Sequence, residues 1–427
     1  MARTTTIMVG TTSPIASMPR RRRGSRGWSS TSVSTSGTRR SDRSGIRRAT
    51  PESSPTVPLR FGEQAMPRAM DDGGEGFLEL IEAWDGVGLV VRYDEQTGSW
   101  IFIALHDDTL GPMVGGCRMQ VYARPEDGLR DAMRLGRGMT HKWAAINFPF
   151  GGAKAVLAIP KPLVGSQRRG LLHRFGALLN SLAGAYGTGE DLGTTPDDLR
   201  AVASVSKHVI GIHGIEDAPS DPGPFTALGV FAGIRSALRH RHGSDDLTDR
   251  SVLVQGVGHV GGPLARMISK AGGSVLLCDM DADLAFAISV EIGGNVVTQE
   301  NVYRTRCDVY APCAVGATLS PATIPNLRCD IIAGSANNQL ESVADAHALA
   351  ERGILYAPDY VVNAGGAMAF TLIYQGERRV AELERRVRGI GDALDEIFAE
   401  AEAAGESPLE AAQRRVQRAL QSAENRG

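Results

Sequence analysis

Two lysines twelve residues apart are the side chains that point most directly to chemistry. Lys142 ends a helical pattern of apolar residues over 129–139, which a Pro-Glu-Asp sequence at 125–127 introduces. Gly151-Gly152 predicts a tight turn just before Lys154, and residues 155–159 predict a buried strand. A lysine ammonium binds an anion, and a neutral lysine amine is a base. Each lysine alone is more often a solvated surface charge, but together with the glycines they predict a site for a small anionic molecule.

An acidic pair, Glu190-Asp191, stands between glycines and is followed by Thr195 and Pro196. On its own this segment is typical of a loop in which Thr195 caps a helix that Pro196 begins. From these residues alone the loop interpretation is favoured.

The surrounding pattern predicts the elements that position these residues. Residues 77–84 favour a short amphipathic helix, 88–92 and 100–105 two strands joined by a turn, and 168–184 a further helix. A stretch rich in Pro, Gly, Ser and Asp at 217–224 indicates a hinge, and a helix is predicted from Phe225 to Leu238. The strands would deliver the lysine segment to a cleft.

A second group of motifs indicates a nucleotide site. Gly256, Gly258 and Gly261 form a G-x-G-x-x-G pattern, which is weak alone in a chain with 51 glycines. Here it follows a Val-Leu-Val strand, opens a helical run, and precedes an apolar strand that ends in Asp279. The pyrophosphate of a dinucleotide would lie at the helix N-terminus, and Asp279 would accept hydrogen bonds from the ribose. Because no arginine directly follows Asp279 and a carboxylate repels the 2′-phosphate of NADP, we predict NAD.

Three later strands, at 307–313, 329–333 and 353–357, end in polar loops. In a doubly wound sheet the carboxyl ends of the strands line the ligand crevice. The fold expected from the whole pattern is α/β, with an N-terminal substrate and catalytic domain facing a Rossmann-type NAD-binding domain across a cleft.

The chain resembles the Glu/Leu/Phe/Val amino-acid dehydrogenase family, most closely its leucine and valine dehydrogenase branch. The resemblance runs from Phe77 to the C-terminus, about four-fifths of the chain. It rests on ordered motifs: G-G-x-R-M at 115–119, G-M-T-x-K at 138–142, G-G-A-K at 151–154, E-D-x-G-T-T at 190–195, A-P-C-A at 311–314, A-G-S-A-N-N-Q-L at 333–340 and A-P-D-Y-V-V-N-A-G-G at 357–366. Departures from the pattern occur at Trp143, Ala153 and Asp221.

The resemblance implies a role for each matching residue. Lys142 would hold the substrate α-carboxylate, Lys154 would be the catalytic base, and Asp191 would be the second proton-transfer group. The other substrate-binding residues would be Val114, Gly115, Gly116, Gly189, Asn363, Ala367 and Phe370. Cofactor-binding residues would be Thr226, Gly256, Gly258, His259, Val260, Gly261, Asp279, Ala314, Asn337 and Asn338.

The same comparison bears on the substrate. Glutamate-using members carry a lysine just before the Gly-Gly pair and a serine after the N-A-G-G turn, whereas this chain has Val114 and Phe370. We therefore expect an apolar amino acid, with leucine, valine and isoleucine favoured over phenylalanine because Phe370 refills space left by Gly189 and Ala367. The predicted reaction is reversible NAD-dependent oxidative deamination to the 2-oxo acid and ammonia, favoured by alkaline conditions. The alternatives are a phenylalanine dehydrogenase and a non-catalytic NAD-binding regulatory protein.

Composition sets the remaining expectations. Residues 1–60 hold 12 Arg, no Lys and two acidic residues, with almost no apolar periodicity. We therefore expect a disordered extension over 1–75, and an extension without function is favoured over a nucleic-acid-binding arm or a transit peptide. Five cysteines without C-x-x-C spacing indicate neither a metal site nor disulfides. These cysteines suit a reducing cytosol, so a cytoplasmic location is expected. No apolar stretch of 18 residues occurs, so no membrane partner is expected. A homo-oligomer is expected as well.

The predicted division of the chain is 1–75 for the extension, 76–222 for the substrate and oligomerisation domain, 223–362 for the NAD-binding domain, and 363–427 for a hinge return with C-terminal helices. The last segment is rich in Arg, Glu and Ala, with apolar residues at helical spacing from Val380 to Ile390. These helices would either return to the first domain or support oligomerisation.

Overall fold

Two β-sheets flanked by helices form the part of the chain that the computed structural model describes, residues 6–9, 76–212, 221–314 and 316–425. These residues belong to one compact unit. The first sheet is mixed and the second is wholly parallel. The α/β class predicted from the sequence is confirmed.

The first sheet contains the lysine segment. In chain order its region consists of β1 (Thr6–Val9), α1 (Phe77–Glu82), β2 (Gly88–Asp94), β3 (Ser99–Asp107), β4 (Met113–Val121), α2 (Pro125–Ala145), β5 (Gly151–Ile159), α3 (Gly165–Ser181), β6 (Tyr186–Glu190) and α4 (Pro196–Ala203). The strand order is β1-β2-β3-β5-β4-β6. Strand β4 runs parallel to both β5 and β6, so the Gly-Gly pair of β4 lies between the strand with Lys154 and the strand that leads to Asp191.

The predicted turn at Gly151-Gly152 is wrong, because both glycines belong to β5 and are buried in the sheet. Their small size is needed for packing. A Cβ atom on Gly152 would lie 2.1 Å from the backbone nitrogen of Thr140 in α2. Lys154 therefore stands inside a fully buried strand, and α2 packs directly on that strand.

Residues 186–190, for which a loop was one interpretation, form the edge strand β6 beside β4. Asp191 is the first residue after this strand. The predicted cap is confirmed: Thr195 accepts a hydrogen bond from the Asp198 backbone nitrogen, with Pro196 in the first turn of α4. Strand and helix together fix the position of Asp191 between them.

The second sheet begins after the helix α5 (Gly223–His242). It is built from β7 (Ser251–Gln255), α6 (Gly261–Lys270), β8 (Ser274–Cys278), α7 (Ala282–Ile292), β9 (Asn295–Val296), β10 (Val309–Pro312), β11 (Ile331–Ile332), α8 (Ala344–Glu351) and β12 (Leu355–Tyr356). The strand order is β12-β11-β10-β7-β8-β9, with all pairs parallel. This is the order of a doubly wound dinucleotide-binding sheet, with its crevice at the carboxyl ends of β7 and β10.

Four helices complete the chain: α9 (Asp359–Val362), α10 (Gly365–Tyr374), α11 (Val380–Ala404) and α12 (Pro408–Glu424). Helix α11 packs along α5, and α12 returns to α2. The guanidinium of Arg415 in α12 donates a hydrogen bond of 2.8 Å to the carbonyl oxygen of Ala145. Of the two alternatives for these helices, the return to the lysine-bearing region is thus present.

Of the N-terminal extension the structure describes only Thr6–Val9, which pairs antiparallel with β2. The predicted disorder over 1–75 included these four residues, which the structure instead places in an edge strand. The rest of that prediction concerns residues outside the described ranges, as does the part of the predicted hinge at 217–220. Among the described helices, none has the length and apolar character needed to cross a membrane.

Candidate active site

The Gly115-Gly116 pair brings three strands close together. In β4 these residues lie opposite Thr188 and Gly189 of β6. A Cβ atom on Gly115 would be 1.8 Å from the carbonyl oxygen of Ala153, and one on Gly116 would be 2.6 Å from the carbonyl oxygen of Glu190. Glycine is therefore required at both positions. The absent side chains let the lysine of β5 and the carboxylate after β6 meet in front of β4.

Lys154 and Asp191 form a direct hydrogen-bonded ion pair. The lysine side chain is only 5% exposed, which leaves its ammonium group with little access to water. Asp191 also accepts a hydrogen bond of 3.0 Å from Arg118 Nε and one of 2.7 Å from the backbone nitrogen of Leu192. The predicted base and the predicted second proton-transfer group are thus adjacent, as general acid–base chemistry requires.

The charge on Asp191 is set by two opposing effects. Burial by itself would raise the pKa of this carboxyl, but the charges of Lys154 and Arg118 and their hydrogen bonds lower it to about 2. Asp191 is therefore an anion at neutral pH. A proton delivered to it would be passed on readily, because the carboxylic acid form is disfavoured.

Lys142 projects from the last turn of α2, where a cation is favoured by the helix dipole. Its Nζ donates a hydrogen bond of 2.7 Å to Asn363 Oδ1, across the cleft from α2. The amide nitrogen of Asn363 in turn donates to Asn337 Oδ1 at 2.8 Å. Burial lowers the pKa of Lys142 to about 8, although the nearby Asp359 opposes this shift. The lysine ammonium is thus held where an anion can replace the asparagine oxygen.

This pKa predicts a pH dependence of substrate capture. Lys142 is cationic below about pH 8 and becomes neutral as the pH rises through that value, so it then loses its attraction for a carboxylate. We expect kcat/KM for the amino acid to fall above about pH 8. No such decline is expected for kcat, so the expectation that alkaline conditions favour deamination applies to the enzyme saturated with substrate. Steady-state kinetics from pH 6 to 11 measure both quantities.

The matched variant is Lys142→Arg, because a guanidinium stays charged throughout this pH range. Its overall kcat/KM is expected to be lower, since its shape differs, but the decline above pH 8 should disappear. An unchanged decline in the variant would assign the titration to another group.

The cleft in front of these residues encloses about 430 Å³. Twelve of the site residues predicted from the sequence line this cleft: Val114, Gly115, Gly116, Lys142, Lys154, Gly189, Asp191, Thr226, Asn337, Asn338, Ala367 and Phe370. Asn363 reaches the site through Lys142. Val114 and Phe370 are both buried, as is Ile210, and they form an apolar end.

Several lining residues were missed by sequence reasoning. Ile210 and Gly211 follow α4, and no motif marks them, although a Cβ atom on Gly211 would lie 3.0 Å from the Phe370 ring. Arg118 belongs to the G-G-x-R-M motif and was given no role, yet it binds Asp191. Asp359, in the A-P-D-Y motif, lines the same cleft near Lys142. Arg118 and Asp359 could therefore have been predicted as site residues from the motifs that contain them, whereas Ile210 could not.

Trp143, one of the departures from the family pattern, does not face solvent. Its side chain is fully buried, and its ring lies 5.1 Å from Phe148 and 6.3 Å from Phe150 between ring centroids. This aromatic cluster belongs to the core that α12 joins at Ala411 and Ala412. The tryptophan therefore anchors the end of α2 that carries Lys142.

On the second sheet the glycine-rich loop has the shape that a dinucleotide requires. Gly256 has a φ of +88°, and a Cβ atom on it would lie 2.8 Å from the backbone nitrogen of Ala314. The space in front of Gly258 is open, since a Cβ atom there would meet no neighbouring side chain or backbone within 4 Å. The loop leads through Val260 into Gly261, the first residue of α6, so the positive end of the helix dipole lies at the loop. A pyrophosphate fits this place.

Asp279 stands at the end of β8 as predicted. Its carboxylate accepts hydrogen bonds from the backbone nitrogens of Val257, at 2.6 Å, and Asp281, at 2.9 Å. Each carboxylate oxygen keeps capacity for a further donor, such as a ribose hydroxyl. His259 is 87% exposed and bonds Asp221 at 2.6 Å, which raises the pKa of the imidazole. Asp221, which departs from the family pattern, thus contacts His259 in the nucleotide loop.

The parallel sheet with its glycine loop and the cleft with its buried lysine–carboxylate pair together define a nicotinamide-dependent dehydrogenase. Residues 91–208 match the family model described as the Glu/Leu/Phe/Val dehydrogenase dimerisation domain, and residues 282–424 match the Glutamate/Leucine/Phenylalanine/Valine dehydrogenase model. The chain belongs to this family and is an amino-acid dehydrogenase.

Relatives in this family carry different substrate names. The chain is 37% identical to leucine dehydrogenase of Thermoactinomyces intermedius over 75% of its own length and 87% of that protein. It is 36% identical to phenylalanine dehydrogenase of Caldalkalibacillus thermarum, over 77% and 89%. L-tryptophan dehydrogenase of Nostoc punctiforme is 40% identical over 73% and 87%, and its crystal structure matches with a TM-score of 0.72 over 82% of this chain and 99% of that one.

Proposed function

We propose that this chain catalyses the NAD-dependent, reversible oxidative deamination of branched aliphatic L-amino acids, namely leucine, valine and isoleucine, to the 2-oxo acid and ammonia. The observation that supports this proposal is the apolar end of the cleft. Val114, Ile210 and Phe370 form this end, beyond the charged groups. Ile210 lies against Gly189, and Phe370 lies against Gly211. A compact aliphatic side chain therefore fits between these residues.

The residues of the cleft can perform this reaction in the following way. Lys142 binds the substrate carboxylate and orients the Cα–H bond toward Asn337 and Asn338, the side of the cleft where the nicotinamide would bind. A bound NAD supplies the hydride acceptor. Lys154, the cation of the resting ion pair with Asp191, must first release its ammonium proton to solvent. As the neutral amine it then takes a proton from the water that attacks the imine carbon formed by hydride transfer. Because Lys154 and Asp191 share a hydrogen bond, that proton can pass to Asp191 and on to the departing amine.

NAD is proposed over NADP because of Asp279. Its carboxylate lies beside the loop and is followed by Met280 and Asp281, neither of which can neutralise a 2′-phosphate. A 2′-phosphate would thus meet a carboxylate with no adjacent cation, whereas the two ribose hydroxyls of NAD can donate to it.

A second candidate is an aromatic amino acid. Gly189, Gly211 and Ala367 are all small and line the cleft, so moderate movement of Phe370 would open space for a ring. The similarity to dehydrogenases named for tryptophan and phenylalanine supports this candidate.

A substrate panel separates the candidates. We expect NADH formation, followed by absorbance, to have its highest kcat/KM with leucine, valine or isoleucine, and lower values with phenylalanine and tryptophan. The same panel with NADP should give much lower rates. A preference for an aromatic substrate would reverse the size argument alone, a preference for NADP would reverse the cofactor argument, and turnover of none of these amino acids would refute the proposed function.

We also propose that the chain self-associates, because the family model matching residues 91–208 is described as a dimerisation domain. A cytoplasmic location is proposed as well. It is supported by the five cysteines, which are free thiols and of which four are buried. The predicted domain boundaries at 222 and 362 remain proposals, and limited proteolysis would map them.

A further inference from the structure

Arg118 lies between two carboxylates in the interior of the cleft. Its Nε donates to Asp191 Oδ1 at 3.0 Å, and its Nη1 donates to Asp131 Oδ2 at 2.8 Å. The three side chains are only 18%, 19% and 13% exposed, so the charges interact with little screening by water. An arginine that joins two buried carboxylates is held in one orientation.

This orientation fixes the plane of the Asp191 carboxylate, so that one of its two equivalent oxygens faces the lysine. Oδ1 is occupied by Arg118 Nε and by the backbone nitrogen of Leu192. Oδ2 is left for the Nζ of Lys154. Rotation of the carboxylate would break two hydrogen bonds at once. Arg118 therefore fixes the position of the carboxylate. Together with Lys154, whose charge has the larger effect, it also holds the pKa of Asp191 down against burial, which alone would raise it.

Asp131, on α2, holds the far side of the arginine. Its Oδ2 also accepts a hydrogen bond of 2.7 Å from the Tyr122 hydroxyl, and its Oδ1 accepts one of 2.7 Å from Arg134. Arg134 extends further, to Asn338 Oδ1 at 3.2 Å, in the loop after β11. Arg118 thus belongs to a network that is anchored on two elements of the first sheet and reaches the second.

We propose that Arg118 is a positioning residue for the deamination reaction, which keeps the Asp191 carboxylate ionised and directed at Lys154. This inference rests on the proposed function. Arg118 acts through Asp191 and transfers no proton itself. The titratable or charged groups that interact with Asp191 are Lys154, Arg118, Lys142, Cys117, Tyr186 and Glu190.

The test compares Arg118→Gln and Arg118→Lys with the wild-type enzyme by pH-rate profiles with leucine and NAD. In Arg118→Gln we expect kcat to fall roughly 10- to 100-fold with little change in the KM for leucine, because Asp191 is mispositioned for proton transfer. Loss of a nearby cation makes protonation of the Lys154–Asp191 pair easier, so the acidic limb of kcat/KM should move to higher pH by roughly 1 to 3 pH units.

The variant Arg118→Lys distinguishes the effect of the positive charge at position 118 from the effect of the bridging geometry of arginine. It keeps the cation, so its acidic limb should stay near that of the wild type, while kcat remains reduced because a lysine cannot bridge both carboxylates in the same way. NADH binding, followed by fluorescence, should be unchanged in both variants and reports that they are folded.

Arg174→Gln is the matched structural control. Arg174 forms a comparably buried ion pair with Asp94 in the same sheet region, and its other hydrogen bond goes to Gln96 rather than to Asp191. The variant should lose thermal stability without a shift of the pH profile.

Two outcomes would overturn the positioning role. One is an identical pH profile for Arg118→Gln and the wild type. The other is a rise in KM with kcat unchanged, which would make Arg118 a substrate-binding residue. A wild-type enzyme without amino-acid turnover would overturn the proposed function and this inference together.

Discussion

Replacing Lys154 by alanine is expected to abolish deamination while coenzyme binding persists. The lysine is buried in β5 and paired with Asp191, whereas Lys142 in the same cleft donates its hydrogen bond to Asn363. Loss of general-base catalysis alone lowers kcat by roughly 10²- to 10⁴-fold. Because the glycine loop belongs to the second sheet, NADH binding should remain within a few-fold of wild type. Stopped-flow turnover and fluorescence titration measure the two effects.

Lys161→Ala provides the control for this experiment. Lys161 follows β5 by two residues but is exposed to solvent. Its removal should leave kcat unchanged, which shows that a lysine deletion near the strand is harmless in itself. Near wild-type rates for Lys154→Ala at every pH would remove Lys154 from the mechanism.

Glutamate and aspartate are expected to be very poor substrates. Their second carboxylate would enter the apolar end of the cleft, where Val114, Ile210 and Phe370 are buried and offer no cation. His141 lines the cleft, but burial lowers its pKa to about 4, so it is neutral in the working range. An unpaired buried charge costs roughly 3–5 kcal/mol. This corresponds to a loss in kcat/KM on the order of 10²- to 10⁴-fold relative to leucine.

The variant Val114→Lys tests the cause of this discrimination. A lysine at this position would supply the missing cation, so kcat/KM for glutamate should rise while that for leucine falls. Val114→Met adds comparable bulk without charge and should lower both values. A wild-type enzyme that prefers glutamate would contradict the pocket argument, and a gain for glutamate with methionine would show that size, not charge, limits this substrate.

The nucleotide half of the molecule was largely predictable from the sequence, because its signals are local. The glycine pattern, the preceding strand and Asp279 lie within one continuous segment, and each element forms where its own residues indicate. The order of strands then follows from the repeated strand–helix pattern. Motif spacing likewise identified Lys142, Lys154 and Asp191, and the structure brings these three residues to one cleft.

What the sequence could not provide are contacts between distant segments. Gly151-Gly152 was interpreted as a turn, because a glycine needed for close packing against α2 looks the same in a sequence as one needed for its backbone conformation. Arg118 and Asp131 meet only after β4 and α2 have packed. Ile210 closes the pocket from a segment without any motif. Each of these features depends on the tertiary arrangement, which a local sequence pattern does not predict.

The close approach of β4, β5 and β6 at Gly115-Gly116 sets a boundary for engineering this enzyme. Any side chain at these two positions would collide with backbone carbonyl oxygens, which cannot move without displacing a whole strand. Mutagenesis libraries that aim at a new substrate range should therefore leave both glycines constant. Diversity belongs at Val114, Ile210, Ala367 and Phe370, whose side chains line the cleft.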